Sequence, residues 1–235
     1  MIKIENLHKN FGKLTVLDGL NLEIKQGGIF AILGPNGSGK TTLIKCLLGM
    51  VIPTSGKIIH DNESVLHKWR YRNKINYLPQ IANFPANLTV NELMKMVKNL
   101  RPKIPNDKEL ISKFGVEPFL NKKLGNLSGG TKQKINIILT FMFDSDLIIL
   151  DEPTTGLDPI SLIALKKIIQ EEKAKGKTIL VTTHIMSLVD EIADEIVFIL
   201  DGKIYFKGSI EMLKKQTEEK KLENAIANLM LKENV

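Results

Sequence analysis

Gly34-Pro35-Asn36-Gly37-Ser38-Gly39-Lys40-Thr41 is the stretch that determines how the rest of this chain folds. It matches the phosphate-binding pattern G-x-x-x-x-G-K-[ST] at every fixed position. The apolar run at residues 29–33 predicts a buried parallel strand before it, and residues 42–48 predict a helix after it that ends at Gly49. A flexible glycine turn is the alternative, but the complete match between a strand and a helix favours a phosphate loop.

The loop offers three kinds of contact to a phosphate group. Its glycines let backbone N–H groups approach phosphate oxygens closely, and the helix N-terminus adds a partial positive charge. We expect the Lys40 ammonium to reach the β- and γ-phosphates and the Thr41 hydroxyl to coordinate Mg²⁺. The stretch therefore predicts a nucleotide site.

A second apolar run, at residues 147–150, ends in the two carboxylates of Asp151 and Glu152. We expect a central strand here, and open α/β sheets bind ligands at the carboxyl ends of their strands. Asp151 then suits Mg²⁺, through a water molecule, and Glu152 is placed to polarise a water for attack on the γ-phosphate. Two unrelated surface acids are the alternative, which the phosphate loop upstream disfavours.

Residues 127–130, Leu-Ser-Gly-Gly, predict a second helix start that can bind an anion. Ser128 is suited to cap this helix, and Gly129 and Gly130 leave the backbone N–H groups behind it accessible. This second helix start lies far from the phosphate loop in sequence.

Three further side chains have a functional and a structural interpretation. Phe11 lies in a turn, where it either stacks on an adenine ring or anchors the turn as a core aromatic. Gln80 follows a predicted strand at 75–78, where it either reaches a metal ion or belongs to the surface. His184 follows a predicted strand at 178–183 and either hydrogen-bonds a γ-phosphate or is structural.

Composition and charge exclude several classes of protein. The chain is 43% hydrophobic and 25% charged, which is typical of a globular protein, and it contains no apolar run long enough to span a membrane. Residues 1–10 mix apolar and charged residues, so we expect no signal peptide. The net charge of +7 comes mainly from lysines scattered among glutamates, which indicates a solvated surface rather than a nucleic-acid-binding stripe.

These patterns predict an α/β fold, a P-loop NTPase core with an N-terminal antiparallel β subdomain and an inserted α-helical subdomain. We expect a single domain over residues 1–235. Residues 1–88 and 144–208 form the core with its β subdomain, residues 89–143 form the helical subdomain, and residues 209–235 form a C-terminal helical tail. The tail is expected to contain one or two amphipathic helices, either exposed or covering the core.

The first helix of the helical subdomain has a recognisable start. Thr89 and Glu92 have the spacing of a capping box. Its predicted apolar face consists of Leu93, Met94, Met96, Val97 and Leu100.

In this order the motifs resemble the nucleotide-binding subunit of an ATP-binding cassette (ABC) transporter, and the resemblance covers residues 1–213. The matching elements are Phe11 as the adenine-stacking position, 34–42 as Walker A, Gln80 as the Q-loop, 127–131 as the signature, 147–152 as Walker B, and 156–158 with His184 as the D-loop and switch histidine. Phe11 stands where tyrosine is frequent in the family, and Thr131 where glutamine is frequent.

The resemblance implies ATP as substrate and Mg²⁺ as cofactor. It implies that Glu152 and His184 are catalytic and that Thr41, Gln80 and Asp151 serve the metal. The residues that it implies for ATP binding are Phe11, Gly34, Pro35, Asn36, Gly37, Ser38, Gly39, Lys40, Thr41, Thr42, Ser128, Gly129, Gly130 and Asp158.

The resemblance also implies partners. Two such subunits, expected to be identical, pair head to tail, with each ATP between the phosphate loop of one and Ser128–Gly130 of the other. The pair drives a separate integral membrane permease from the cytoplasmic face of the membrane, and residues 156–160 resemble ABC-2 type exporters. The alternative is a soluble ABC ATPase that acts on nucleic acid or ribosomes. Such proteins carry long coiled coils or two cassettes in tandem, which this sequence lacks, so no nucleic-acid partner is expected.

The segment after Gln80 is the expected docking site for the permease. Residues 81–88 carry Ile81, Phe84 and Leu88 without a periodic pattern that would bury all three in one element. An apolar groove with a polar rim suits a short partner helix. The alternative is that these side chains pack the helical subdomain against the core.

Overall fold

The computed structural model describes residues 1–101 and 103–233 of the chain. Ten strands and eight α-helices lie within these ranges, together with 3₁₀ helices at Arg70–Lys74, Glu117–Phe119 and Leu124–Asn126. In chain order the elements are β1 (Ile2–Phe11), β2 (Leu14–Ile24), β3 (Gly28–Leu33), α1 (Lys40–Leu47), β4 (Ser55–His60), β5 (Glu63–Ser64), β6 (Ile75–Leu78), α2 (Val90–Leu100), α3 (Asp107–Phe114), α4 (Gly129–Phe141), β7 (Leu147–Asp151), α5 (Pro159–Ala174), β8 (Thr178–Thr182), α6 (Met186–Ile192), β9 (Glu195–Leu200), β10 (Lys203–Gly208), α7 (Ile210–Thr217) and α8 (Leu222–Glu233).

The larger sheet has six strands in the order β10-β9-β3-β8-β7-β6, and all neighbours except β9 and β10 are parallel. β7 and β8 are buried at every position, as expected for strands covered on both faces by other elements. The predicted strand at residues 29–33 is confirmed, and Asp201 and Gly202 form the turn between β9 and β10. This sheet brings the ends of β3, β6 and β7 to one edge.

The smaller sheet is antiparallel, with the order β2-β1-β4-β5. The predicted antiparallel sheet near the N-terminus is confirmed, but its strands are longer than the pattern indicated and meet at a turn before Leu14. Register shifts interrupt the pairing of β1 after Ile4, and Asn6 has a positive φ of 46°. A bulge disrupts the alternation of apolar and polar residues, so the second half of the strand has no period-2 signal.

Residues 89–143 contain α2, α3 and α4. The predicted capping box is confirmed, because the Thr89 hydroxyl accepts the Glu92 N–H and the Glu92 carboxylate accepts the Thr89 N–H. The predicted apolar face of α2 is only partly right. Leu93 and Met94 are buried and Val97 packs against the core, but Met96 and Leu100 are exposed, since α2 is covered on one face only.

The described part of the tail forms two helices, and they cover the core. Leu213 and three residues of α8, Leu222, Ile226 and Leu229, are buried against a cluster that includes Phe198 of β9. Asn234 and Val235, at the end of the predicted tail, lie outside the described residues. Among the helices of residues 1–101 and 103–233, none has the length and apolar character needed to cross a lipid bilayer.

A buried polar contact connects the end of α2 to the large sheet. The Asn76 side chain of β6 donates to the carbonyl of Phe143 at 2.7 Å and accepts from the Arg101 guanidinium at 2.6 Å. Arg101 also lies over the Phe143 ring, 5.4 Å from its centroid. Three elements that are distant in sequence are therefore held together by one side-chain amide.

Replacing Arg101 with alanine should lower the free energy of unfolding by roughly 1–3 kcal/mol, because the buried Asn76 oxygen loses its donor. Urea denaturation followed by circular dichroism measures the change. The control is Arg70→Ala, which removes a guanidinium from an exposed position and should change stability by less than about 0.5 kcal/mol. Equal stability of the two variants would contradict a structural role for the contact.

Candidate active site

A cavity of about 290 Å³ lies where the phosphate loop meets the carboxyl ends of β6 and β7. It brings together nine of the eighteen predicted site residues. Its lining consists of Leu14, Val16, Asn36, Gly37, Gly39, Lys40, Thr41, Thr42, Gln80, Asp151 and Glu152. A second cavity of about 320 Å³ lies at the opposite, amino-terminal edge of the sheet and is lined by none of the predicted residues.

The phosphate loop is closely packed against its own chain at two of its glycines. A Cβ on Gly34 would lie 2.1 Å from the Ile199 carbonyl oxygen, and one on Gly39 would lie 2.8 Å from the Val16 carbonyl oxygen. Both have positive φ angles, so only glycine fits without displacing backbone. A Cβ on Gly37 would meet no atom within 4 Å, which leaves that backbone open to the cavity.

Lys40 begins α1, and its ammonium folds back over the loop. Its Nζ donates to the carbonyl oxygens of Gly34 at 2.7 Å and Pro35 at 2.9 Å. Burial lowers the pKa of Lys40, and the negative charges of Glu152 and Asp151 oppose that shift. The charge is thus held at the loop by neutral oxygens, which a phosphate oxygen can replace.

Asp151 and Glu152 follow each other at the end of β7 but have different surroundings. The Asp151 carboxylate accepts a hydrogen bond from the Thr182 hydroxyl of β8. Glu152 adopts a left-handed backbone with φ 47°, and its N–H donates to the Thr182 carbonyl at 3.0 Å. This turn separates the two carboxylates. The Asp151 side chain remains hydrogen-bonded to β8, whereas the Glu152 side chain belongs to the loop after β7.

The two oxygens of the Glu152 carboxylate are not equivalent. Oε1 lies 3.0 Å from Nδ1 of His184, which follows β8. Oε2 is buried and has no hydrogen-bond partner among residues 1–101 and 103–233. A buried carboxylate oxygen without a donor favours binding of a donor from outside, such as a water molecule.

Three oxygen donors of the cavity are suited to a magnesium ion. They are the Thr41 hydroxyl, the Gln80 amide oxygen and the Asp151 carboxylate, and all three residues line the cavity. Mg²⁺ takes one or two protein ligands of this kind together with phosphate oxygens and waters. No group of three His, Cys, Asp or Glu residues in the described ranges has metal-binding geometry, and this donor set does not need one.

Ser128, Gly129 and Gly130 lie outside the lining of this cavity. The Ser128 hydroxyl caps α4 as predicted, accepting the Thr131 N–H at 3.2 Å. Gly130 packs so closely on Gly156 that a Cβ on it would lie 2.6 Å from the Gly156 carbonyl oxygen. The start of α4 and the loop before α5 therefore form one surface.

Asp158 belongs to the same surface and is held within its own chain. Its carboxylate caps α5 by accepting the Ser161 N–H at 2.8 Å and forms an ion pair with Lys134 at 2.6 Å. The hydrogen bond from Lys134 holds the pKa of Asp158 well below its usual range, so the group remains charged at neutral pH. The structure thus separates the predicted residues into a phosphate cavity and a second surface.

Phe11 is half exposed, so it is not a core aromatic, and it does not line the cavity. Its ring contacts Lys9, whose ammonium lies 4.7 Å from the ring centroid. The apolar wall of the cavity comes instead from Leu14 and Val16 of β2. Sequence reasoning missed both, because apolar residues directly after a turn resemble any strand.

Gln133 and Asn136 on α4 are two further residues that sequence reasoning missed. The buried Gln133 amide donates to the Pro153 carbonyl at 3.0 Å, directly after Glu152. The buried Asn136 amide donates to the Pro79 carbonyl at 3.0 Å, directly before Gln80. Two amides spaced i, i+3 in α4 were the available signal. Through them α4 contacts both loops of the cavity.

Comparison with known proteins identifies the family. A family model described as "ABC transporter" matches residues 17–155. This chain belongs to the ABC transporter family. It is the ATP-binding subunit of such a system and an ATPase.

The relatives of this cassette include ATP-binding proteins named for lantibiotic and bacitracin transport. The lantibiotic transport ATP-binding protein SrtF of Streptococcus pyogenes is 39% identical, and the alignment covers 87% of this chain and 89% of SrtF. The bacitracin transport ATP-binding protein BcrA of Bacillus licheniformis is 34% identical, with 93% of this chain and 73% of BcrA covered.

Solved structures show the same fold. A structure of the ATP-binding subunit of an ABC transporter superposes with a TM-score of 0.90 at 27% identity, covering 98% of this chain and 99% of the other. A dimeric ATP-binding cassette in a post-hydrolysis state, bound to ADP and Pi, gives a TM-score of 0.78 at 26% identity, covering 89% of this chain and 98% of the other.

Glu152→Gln should reduce ATP turnover by at least about 100-fold, because the amide keeps the shape of the side chain but cannot accept a proton from water. ATP binding should persist, and the variant should accumulate as an ATP-bound dimer in size-exclusion chromatography. Phosphate release measures turnover. The control is Glu117→Gln at an exposed position, which should hydrolyse ATP at the unaltered rate. Full turnover by a monomeric Glu152→Gln protein would contradict the role of Glu152.

Proposed function

We propose that this subunit hydrolyses ATP at composite sites between two copies of the chain and thereby drives a separate membrane-spanning exporter subunit. The observation that carries the proposal is the separation of the Ser128–Gly130 helix start from the phosphate cavity of the same chain. Two helix starts suited to anions, lying on different surfaces of one chain, can act on one nucleotide only if a second chain supplies one of them.

Within each cavity, we assign phosphate binding to the loop and chemistry to the strand ends. Residues 34–42 bind the phosphates, with Lys40 moving its hydrogen bonds from the loop carbonyls to phosphate oxygens. Glu152 accepts the proton of the attacking water at Oε2, while His184 orients the same carboxylate through Oε1. Phe11 is assigned to the adenine ring, since half of its surface is available for stacking.

We assign Mg²⁺ to Thr41, Gln80 and Asp151, whose oxygens suit this ion. When bound, the ion would neutralise charge on the phosphates. Asp151 also accepts from Thr182 and is therefore held in place without the metal. Asn136 of α4 donates to the carbonyl of Pro79, the residue before Gln80. Helix α4 therefore constrains the position of Gln80.

The second copy is assigned the contacts of Ser128, Gly129, Gly130 and Asp158. Their position on one surface, fixed by the Gly130–Gly156 packing and the Lys134–Asp158 ion pair, supports this assignment. The related cassette solved with ADP and Pi is a dimer. We propose a homodimer for this chain.

The transport direction is proposed from the relatives. The Nod factor export ATP-binding protein I of Ralstonia nicotianae is 32% identical over 88% of this chain and 67% of its own length. SrtF and BcrA are named for lantibiotic and bacitracin transport. We propose that this cassette likewise serves an exporter and works on the cytoplasmic face of the membrane, and these transport names support that class over an ATPase of nucleic acid or ribosomes.

The permease is proposed to dock beside Gln80. In the segment 81–88 the structure leaves Ile81 exposed at 69%, whereas Phe84 and Leu88 are partly buried against the core. The three residues therefore do not form one open groove, and we assign the docking contact to Ile81. We further propose that residues 89–143 move as a unit relative to residues 1–88 and 144–208 when ATP binds.

Mixing two inactive variants tests the composite site. Lys40→Ala removes the phosphate-binding cation and Ser128→Arg blocks the opposing helix start, so each protein alone should hydrolyse ATP near background. An equal mixture should recover roughly a quarter of the unmodified activity, because half of the dimers are mixed and each of these has one intact site of two. Normal activity of Ser128→Arg alone would instead place hydrolysis within one chain.

Ile81→Asp tests the docking site. A charge at this exposed position should release the co-expressed membrane subunit in a pull-down while basal ATPase activity and the melting temperature stay unchanged. The matched control is Ile104→Asp, since Ile104 is 94% exposed. If both variants retain the membrane subunit equally, the docking assignment is wrong.

A further inference from the structure

An exposed apolar surface lies away from the phosphate cavity, beside the end of α1. It is a groove of about 220 Å³ between the loop before β4 and the segment between β5 and β6. Three large apolar side chains beside it are mostly exposed, namely Met50 at 61%, Ile52 at 63% and Trp69 at 62%. Trp69 is the only tryptophan of the chain. We call these three residues with Lys68 and Arg70 the Trp69 face.

The Trp69 face is rigidly attached to the core. Tyr71 is buried, and its hydroxyl donates to the Leu47 carbonyl at 3.0 Å. The Arg72 guanidinium donates to the Gly49 carbonyl at 3.1 Å. Because both loops are joined by these bonds, the exposed ring of Trp69 is presented by a fixed backbone rather than by a free loop.

Positive charge surrounds this apolar surface. His67, Lys68 and Arg72 line the groove, and its lining contains no carboxylate. The Arg70 guanidinium lies 5.9 Å from the centre of the Trp69 ring. The exposed Glu63 lies 3.5 Å from the Lys68 ammonium, and Glu63 and Asp61 line a neighbouring groove together with Arg70. Two of the three arginines in the sequence fall in this one segment.

This combination fits the headgroup layer of an anionic bilayer. Tryptophan is enriched at membrane interfaces because its ring is apolar while its N–H stays hydrated. Lysine and arginine beside it are attracted to anionic lipids. A purely apolar partner helix would leave the cations unpaired. We propose that the Trp69 face binds anionic lipid headgroups directly, with the ring and Ile52 entering the interfacial layer.

This contact is separate from the proposed docking of a permease at Ile81, and it is tested without one. The full chain is sedimented with vesicles of phosphatidylcholine alone or of phosphatidylcholine with phosphatidylglycerol. Binding should occur only with the anionic vesicles and weaken as salt rises. Because Trp69 is the sole tryptophan, its emission should shift to shorter wavelength on binding and be quenched by brominated lipid.

Three variants distinguish binding by the Trp69 face from attraction by net charge. Lys68→Glu/Arg70→Glu should weaken binding at least about tenfold, since each basic residue near an anionic surface contributes a factor of about five. Lys215→Glu/Lys220→Glu changes the net charge equally at exposed positions of the tail and should retain binding. Trp69→Ala should weaken sedimentation by at least about fivefold, because the apolar surface it inserts is lost.

Three results would overturn the proposal. Equal loss of binding in the two double variants would show attraction by net charge alone. Binding without a change in Trp69 emission would place the contact elsewhere on the chain. Absence of binding to vesicles, combined with an emission shift only when a membrane subunit is present in them, would assign the face to a protein partner.

Discussion

Ile32 of β3 pairs with Thr182 of β8, and Thr182 pairs in turn with Asp151 of β7. This parallel register places the phosphate loop, which starts two residues after Ile32, at the same edge as the two carboxylates. Thr182 is also the residue whose hydroxyl binds Asp151 and whose carbonyl accepts the Glu152 N–H. A slip of one residue would turn Thr182 to the other face of the sheet and remove these contacts. The phosphate cavity therefore depends on a strand pairing in the core.

Helix α4 connects the phosphate cavity to the surface formed by its own start and the loop before α5. Ser128 caps its start, and Gln133 and Asn136 further along the helix hold the loops that carry Glu152 and Gln80. The amides are buried, so neither loop can shift without breaking a hydrogen bond that water does not replace. A displacement of α4 is thus transmitted to both loops of the same chain.

The features that were predicted correctly from the sequence are those set by residues close together in the chain. The phosphate loop, the caps at Thr89 and Ser128 and the strand before Glu152 each depend on residues a few positions apart. Features that depend on distant partners were not predictable. The bulges of β1 erase the alternation of its strand. Met96 is exposed because no element covers that side of α2, and the role of Gln133 needs the position of a loop twenty residues later.

Glu152 occupies a backbone conformation that costs a non-glycine residue of order 1–3 kcal/mol. The core pairing with Thr182 and the packing of the following loop sustain it, so the fold holds a carboxylate in place at the expense of its own stability. Replacing Glu152 with glycine would relieve this strain but would also remove the carboxylate. In a search for heat-resistant variants, residue 152 is therefore a position where improved stability and loss of turnover are expected to arise together.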